Sequence, residues 1–545
     1  MTNAKEFGTL FQSLERAIAK YGDRAAYAVP AMEGRAYHPQ GKSWTWGETG
    51  QEVELRRRQY AAAGYGPGHR VAILFDQRPE FVFHHLALNA LGCSTVPVSP
   101  DYRDEEIAYL LENSESCLVL AIPERLAQIQ RVAQKLERPI PALVFDDLTA
   151  PLPAAPFPAG DVPLNASTEA AMLYTSGTTG RPKGCVLSNE YFHSFGMSFY
   201  GLGGRLTMRE GEERLYNPLP LHHANCLSIS LPAMLIAGGC LVFPDRFHAS
   251  TFWRDIVECE ITAIQFQGVI PNILLKLPVV PEERQHKVKF VLCAGVEPEL
   301  HALFEERFGF PLVEMWAMTE TGRIMSDYSE PRMIHTRAFG RPGPGLDVRI
   351  IDADHRETAV GVPGEFVIRH SEEEPRKGFF SEYLKNPEAN DEAWRSGWFH
   401  TGDVAVRDES GMFFFLDRSK NIIRRAGENI AAAEVEACLA TIDCIKQAAV
   451  LAVPDEVREE EVMACIVLKS PELASEALAR EILERCCERL AYFKAPAFIL
   501  FVTELPTGSS QKIQKIRLFP AGVDPRTEPG VFDLRSVKKK PRLNA

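Results

Sequence analysis

The chain has 545 residues, 45% hydrophobic and 24% charged, which is the balance of a globular protein with several domain-sized units and a large buried core. Its net charge of −13 is spread along the chain, and the acidic PDEVREEEV and basic VKKKPRLNA clusters are short. There is no basic stripe of the kind nucleic acid requires, and no apolar run reaches the roughly 18 residues of a membrane span.

The first residues, MTNAKEFGTLFQSLERAIAKYGD, lack a basic-then-apolar signal pattern and have the periodicity of an amphipathic helix. From Val71, buried strands (VAILF, STVPVS, CLVLAI) alternate with helices (PEFVFHHLALNALG, DEEIAYLLENS and a segment from Glu124 to Leu136). The rhythm resumes at GCLVFP, HASTFWRDIVECE, TAIQFQG, KFVLCAG and EPELHALFEERFG. Such alternation predicts an α/β fold with mainly parallel, helix-covered sheets. The proline-rich PLPAAPFPAGDVPLN (151–165) reads as a linker and subdomain break between two such sets. From about residue 340 the pattern turns β-rich, with short strands at VRIIDADHRET, GEFVIR and GMFFFLDRS. An α+β segment follows from about Asn421, with strands in AAVLAVPD, VMACIVLKS and FILFVTELP and a helix near Arg480–Leu490. Twelve cysteines without a CxxC pair fit reduced, mostly buried thiols and a cytoplasmic location. His222 and His223 are neighbours but have no partner ligands at zinc-like spacing.

The stretch LYTSGTTGRPKGCVLS, Leu173 to Ser188, carries the chemistry. It is not a Walker loop, because Pro182 precedes Lys183 and Gly184 follows it. It is not a dinucleotide fingerprint either, because Gly177 and Gly180 have the wrong spacing. The loop follows an apolar strand, AAMLY, and leads towards an apolar helix, YFHSFGMSF. The amides of Gly177 and Gly180, the hydroxyls of Thr175, Ser176, Thr178 and Thr179, and the mobile charge of Lys183 together suit a phosphate cradle.

YTSGTTGRPKG resembles the phosphate loop of the acyl-adenylate-forming ligases: acyl-CoA synthetases, peptide-synthetase adenylation domains and firefly luciferase. Further segments resemble that family in the same order. LPLHHANC implies His223 at the mouth of the acyl pocket. CAGVEP is similar to the loop whose backbone lies along adenine, here Ala294, Gly295, Val296 and Glu297. MWAMTETG implies Thr319 on the α-phosphate and Glu320 holding Mg²⁺, with Trp316, Ala317 and Met318 in the nucleotide site. Trp316 and Ala317 stand where tyrosine and glycine are usual; the indole implies a stack on adenine, and the extra methyl a compact acyl pocket. WFHTGD implies Asp403 as acceptor for both ribose hydroxyls. LDRSKNIIRRAGENIAAAEVE implies Arg418 on the ribose, Lys420 as a hinge and Gly427 lining the thiol tunnel. LPTGSSQKIQK implies Lys512 as the catalytic lysine, with Gln511 where glycine is usual.

The resemblance implies a large N-terminal domain (1–419) and a small, mobile α+β C-terminal domain (420–545). It implies an AMP-forming acyl-CoA ligase that uses ATP, Mg²⁺ and CoA on a small carboxylic acid. The alternatives are an adenylating enzyme that passes the acyl group to a carrier protein or other acceptor, and a relative without turnover. The middle of the chain resembles bacterial ligases for small or polar acids, carnitine-type acids among them. Arg323, directly after TETG, reads either as the partner of a second substrate carboxylate or as an arginine paired with a neighbouring acid. A homodimer is compatible with the sequence but not read from it.

Overall fold

The computed structural model describes residues 4–144, 151–175, 181–343, 345–418, 422–506, 515–520 and 523–538. The chain divides into two compact units. The larger comprises Met1–Pro100, Leu111–Leu173 and Gly184–Asp417; the smaller comprises Asp101–Leu110, Tyr174–Lys183 and Arg418–Ala545.

The larger unit holds two α/β sheets and one antiparallel sheet. In the seven-stranded sheet Glu169–Thr175, Ser94–Pro97, Arg70–Leu74, Leu118–Ala121 and Ala142–Val144 are parallel neighbours, in register as Thr95↔Ala171, Val71↔Thr95, Val71↔Leu118 and Leu120↔Leu143. These strands are buried over most of their length, as strands with both faces covered must be. Helix Pro79–Ala90 is correspondingly buried nearly all round, from Phe81 to Leu88. Proline opens it, and the helix Pro123–Lys135, at the position where its missing N–H costs no hydrogen bond.

Two sequence expectations change here. The two sets of strands on either side of the proline-rich 151–165 do lie in different sheets, but the change of sheet falls after Ser188, because Ala142–Val144, Glu169–Thr175 and Lys183–Ser188 belong to one sheet. It is a surface strap, tied by Ala155 N–H to the Ala63 carbonyl (2.7 Å) and Gly160 N–H to the Pro67 carbonyl (2.9 Å). Phe157 stacks on His69 at 4.3 Å. Proline-rich segments lack donors for a ladder, so their docking is not visible in local pattern. Second, the glycine loop is followed by a strand, Lys183–Ser188, before helix Asn189–Tyr200 begins at its Ser188 cap. The apolar Cys185-Val186-Leu187 is buried in the sheet, where Val186 and Cys185 pair with Glu382 and Tyr383.

The eight-stranded sheet runs parallel through Leu312–Trp316, Phe290–Ala294, Ala263–Gln267, Arg214–Tyr216, Cys240–Val242 and Ala25–Val29, with antiparallel strands Met325–Ser326 and Lys42–Thr45 at its edges. The five-stranded sheet, ordered Ala338–Gly340, Phe413–Arg418, Phe399–Arg407, Gly364–Arg369, Asp347–Ile351, begins where the sequence turns β-rich.

The smaller unit is an α+β body. Ile445–Asp455 pairs antiparallel with Glu459–Leu468, which runs parallel to Phe498–Phe501. Helices Ala432–Leu439 and Glu476–Arg489 supply Val435, Leu439 and Ile482 to a core with Val450 and Ile466. No helix among the described residues is long and apolar enough to cross a membrane.

Candidate active site

The site of the larger unit starts where two neighbouring parallel strands end, the place where ligand crevices open in α/β sheets. Strand Phe290–Ala294 runs into Gly295, whose φ of 76° favours glycine. From the adjacent strand, the Glu314 carboxylate accepts the N–H groups of Gly295 (2.6 Å) and Val296 (3.1 Å). Glu297 is half-exposed and pairs with Arg337 at 2.6 Å. The backbone of Ala294–Glu297 is thus anchored by a residue the motif reading missed. The signal was a lone acid in the strand LVEMW, which an apolar pattern alone does not explain.

Trp316 ends that same strand, and its indole N–H donates to Asp403 Oδ2 at 2.8 Å. Asp403 lies in strand Phe399–Arg407 of the antiparallel sheet and is 1% exposed. A carboxylate this deep needs partners, of which the indole is one, and its backbone is fixed as well. The preceding Gly402 has φ 72° and donates its N–H to Glu365 (3.2 Å), while Asp403 N–H donates to the Thr401 hydroxyl (3.0 Å). Trp316 is itself 6% exposed, with Phe366 edge-on at 4.9 Å and Phe339 at 6.1 Å. The indole therefore has a task beyond the adenine stack that the motif implies: it holds a carboxylate.

The following turn carries Ala317, Met318 and Thr319, all half-buried, and the buried Glu320. Thr321 closes it by donating its N–H and hydroxyl to the Met318 carbonyl (3.2 and 3.1 Å). Glu320 is fixed twice from strand Glu382–Tyr383 and the residues before it. Its Oε1 accepts the Tyr383 hydroxyl at 3.0 Å, and its carbonyl accepts Phe380 N–H at 2.9 Å. Burial, with the Glu320 carboxylate beside it, pushes the Tyr383 phenol far above its usual range, so it remains a donor. Tyr383 is the second residue the motif reading missed.

Thr175 ends strand Glu169–Thr175 and Lys183 begins strand Lys183–Ser188. Ser176, Gly177, Thr178, Thr179 and Gly180 between them lie outside the described residues, as do Lys420 and Lys512. His223 leads into a π-helical turn, Asn225–Ser230, its carbonyl accepting Leu227 N–H at 3.2 Å. Such turns are frequent at functional sites. Asn217 there donates to Asn225 (3.0 Å) and to Ser230 (2.8 Å), buried beside Gln265. In the smaller unit Arg418 ends strand Phe413–Arg418, and Ala426–Gly427 (φ 49° and 90°) form the two-residue turn of the hairpin Ile422–Arg425 and Glu428–Ala431.

Arg323 does not pair with a neighbouring acid. Its Nη1 donates to the carbonyls of Gly322 (3.0 Å) and Gly378 (3.4 Å), and its Nη2 to that of Lys377 (3.0 Å). Among the described residues no carboxylate lies within ion-pair distance of it.

The description "AMP-binding enzyme" matches residues 14–379, and "AMP-binding enzyme C-terminal domain" matches residues 434–512. Over 518 residues the chain is 30% identical to the crotonobetaine/carnitine–CoA ligase of Proteus mirabilis, covering 91% of this chain and 96% of that protein. It is 29% identical over 528 residues to the sulfoacetate–CoA ligase of Cupriavidus necator, covering 95% and 98%. Its fold is similar to that of o-succinylbenzoate CoA synthetase from Bacillus subtilis, with a TM-score of 0.79, 24% identity and coverage of 93% and 98%. The amide bond synthetase of Marinactinospora thermotolerans shares the fold with a TM-score of 0.78, at 23% identity and coverage of 93% and 98%.

Proposed function

The chain belongs to the AMP-binding enzyme family, and from that premise we propose that it is an ATP-dependent, AMP-forming acyl-CoA ligase for a short, polar carboxylic acid. A carboxylate oxygen of the acid attacks the α-phosphorus of ATP, pyrophosphate leaves, and an acyl-adenylate forms. The CoA thiol then attacks the acyl carbon, and AMP departs with the bonding electrons while the thiol loses its proton. The protein's part is positioning and charge stabilisation. The relatives named for crotonobetaine, carnitine and sulfoacetate support a short polar acid.

The observation that carries the assignment within the larger unit is the Trp316–Asp403 bond. It ties a carboxylate suited to a ribose diol to the turn that bears Thr319 and Glu320. The anchored backbone of Ala294–Glu297 supports the adenine end, and the intervening Trp316 spaces the two. Thr319 offers a hydroxyl for the α-phosphate, and Ala317 a methyl that favours a compact acid. Glu320 fits a divalent cation, because its carboxylate is a hard oxygen donor, buried and oriented by Tyr383. Mg²⁺ there supplies positive charge against the triphosphate. Lys183, the loop hydroxyls and Lys512 complete the phosphate charge balance in this reading; Arg418 joins Asp403 at the ribose, Gly427 lines the thiol path, Lys420 is the hinge, and His223 borders the acid. A reduced cytoplasmic setting is supported by twelve free cysteines.

The test is incubation with ATP, Mg²⁺, CoA and a panel of short acids, with pyrophosphate and thioester both assayed. Stoichiometric appearance of both is expected. Pyrophosphate without thioester would point to an acceptor other than CoA, and neither product with any acid would overturn the reading.

A further inference from the structure

We propose that Arg323 reads a second, anionic group on the substrate, so that the preferred acids carry a carboxylate or sulfonate at the end remote from the reacting carboxyl and acids ending in a fixed cation are disfavoured. The proposal deepens the ligase reading above and rests on it.

The position is set by close packing. Arg323 follows Glu320 by three residues, and the intervening Gly322 has φ 58°. A Cβ on Gly322 would lie 2.0 Å from the Gly378 carbonyl oxygen and 2.9 Å from the Tyr191 ring. Tyr191 also lies within reach of the Glu320 charge, so this ring packs beside the turn that carries both residues. On the other side Ile324 N–H is held by the Ser198 hydroxyl at 3.0 Å.

Among the described residues the guanidinium has room but no carboxylate at ion-pair distance. Gly378 has φ 71°, and a Cβ there would meet the two terminal nitrogens of Arg323 at 2.5 and 2.7 Å, so any larger residue would displace the arginine head. Its hydrogen bonds go to three neutral carbonyls, which take donors from Nη1 and Nη2 and leave Nε–H with no bond among the described residues. Glu190 acts on it through space only, and Lys377 beside it is paired with Glu374 at 2.8 Å. Burial draws the guanidinium down to about 10, which still leaves it fully charged at neutral pH. The residue is half-buried rather than sealed.

A partly desolvated cation whose hydrogen bonds all go to neutral carbonyls is costly unless an anion arrives to pair with it. A guanidinium fork whose Nη groups are pinned and whose Nε edge is open matches a planar carboxylate or the oxygens of a sulfonate. The same charge repels a trimethylammonium group, which separates acids that are otherwise similar in length.

Pyrophosphate release is measured for the parent, Arg323→Gln and Arg323→Lys with malonate, sulfopropionate, propionate and γ-butyrobetaine, together with calorimetric titration of malonate and sulfopropionate. The parent is expected to prefer the dianionic acids. Arg323→Gln is expected to raise their KM on the order of 10–100-fold while leaving the KM for ATP and for propionate in place, and Arg323→Lys is expected to restore part of the loss. A parent that prefers propionate or γ-butyrobetaine overturns the proposal. So does an Arg323→Gln variant that raises every KM alike, because the arginine would then be only a clamp on the Lys377–Gly378 backbone. Calorimetric binding of a dianionic acid that Arg323→Gln abolishes supports the assignment even if no acid is turned over, an outcome that would overturn the ligase reading alone.

Discussion

The indole N–H of Trp316 and the carboxylate of Asp403 are 87 residues apart in the chain and 2.8 Å apart in space. Trp316→Phe keeps an aromatic ring beside Phe366 but removes the donor to a buried carboxylate. The loss of a charge-assisted bond of this kind is about 1.5–3 kcal/mol, so AMP and ATP affinity should fall by at least about tenfold. Calorimetry on the folded variant checks this, and an unchanged affinity would mean that the bond does not position Asp403 for nucleotide. Tyr383→Phe isolates a different contact. It deletes the hydroxyl that Glu320 accepts while leaving the ring against Phe380 at 4.6 Å. Its signature should be a higher Mg²⁺ concentration for half-maximal pyrophosphate release, with the KM for the acid little changed. A variant whose Mg²⁺ titration overlays the parent's would remove Tyr383 from the cation site.

At the scale of elements, the smaller unit depends on a buried charge cluster between strands and the C-terminal segment. The Glu461 carboxylate, 1% exposed, accepts Arg425 Nε at 2.7 and 2.8 Å and Lys538 Nζ at 2.6 Å. Lys538 also donates to the Phe493 carbonyl at 3.1 Å. Glu461→Gln would leave the buried Arg425 guanidinium without its counter-charge and should cost about 3–5 kcal/mol, read as faster hydrogen exchange in Glu459–Leu468 and Phe498–Phe501. Lys538→Met leaves the Arg425–Glu461 pair intact and should cost less. Burial, followed by the charge of Arg425, pulls the Lys538 ammonium from its usual 10.5 down to about 7. Across that window the unfolded chain holds a proton that the folded unit has released, so stability should rise as pH increases from about 7 towards 10.5. The slope should vanish in Lys538→Met; an opening free energy, from exchange rates corrected for their intrinsic pH dependence, that is flat with pH in the parent would show that the lysine keeps its proton in the fold.

At the scale of the whole molecule, the two half-reactions separate the roles of the two ends of the chain. If Lys512 stabilises charge only while pyrophosphate leaves, Lys512→Ala should slow adenylation by roughly 10²–10³-fold, the scale of one transition-state donor. Given presynthesised acyl-adenylate and CoA, the same variant should form thioester at close to the parental rate. Equal loss of both half-reactions would assign the lysine another task.

The sequence by itself determined the α/β rhythm, the β-rich stretch after residue 340, the α+β end and, through its motifs, the family, because periodicity and residue-type spacing are local properties. It named Asp403, Trp316 and Glu320 but could not say what holds them. The bond from Trp316 to Asp403 joins two different sheets, Tyr383 reaches Glu320 from the edge of a third, and Glu314 anchors the backbone of a neighbouring strand's loop. The docking of the strap 151–165 and the pairing of the strand Lys183–Ser188 escape local pattern for the same reason, since both are decided by what they dock against. The sequence likewise left Arg323 open between a substrate anion and a neighbouring acid, and only packing shows its guanidinium on three carbonyls, with no carboxylate at ion-pair distance among the described residues. Partners of buried polar groups are chosen by desolvation and distance across the fold, which residue spacing along the chain does not encode.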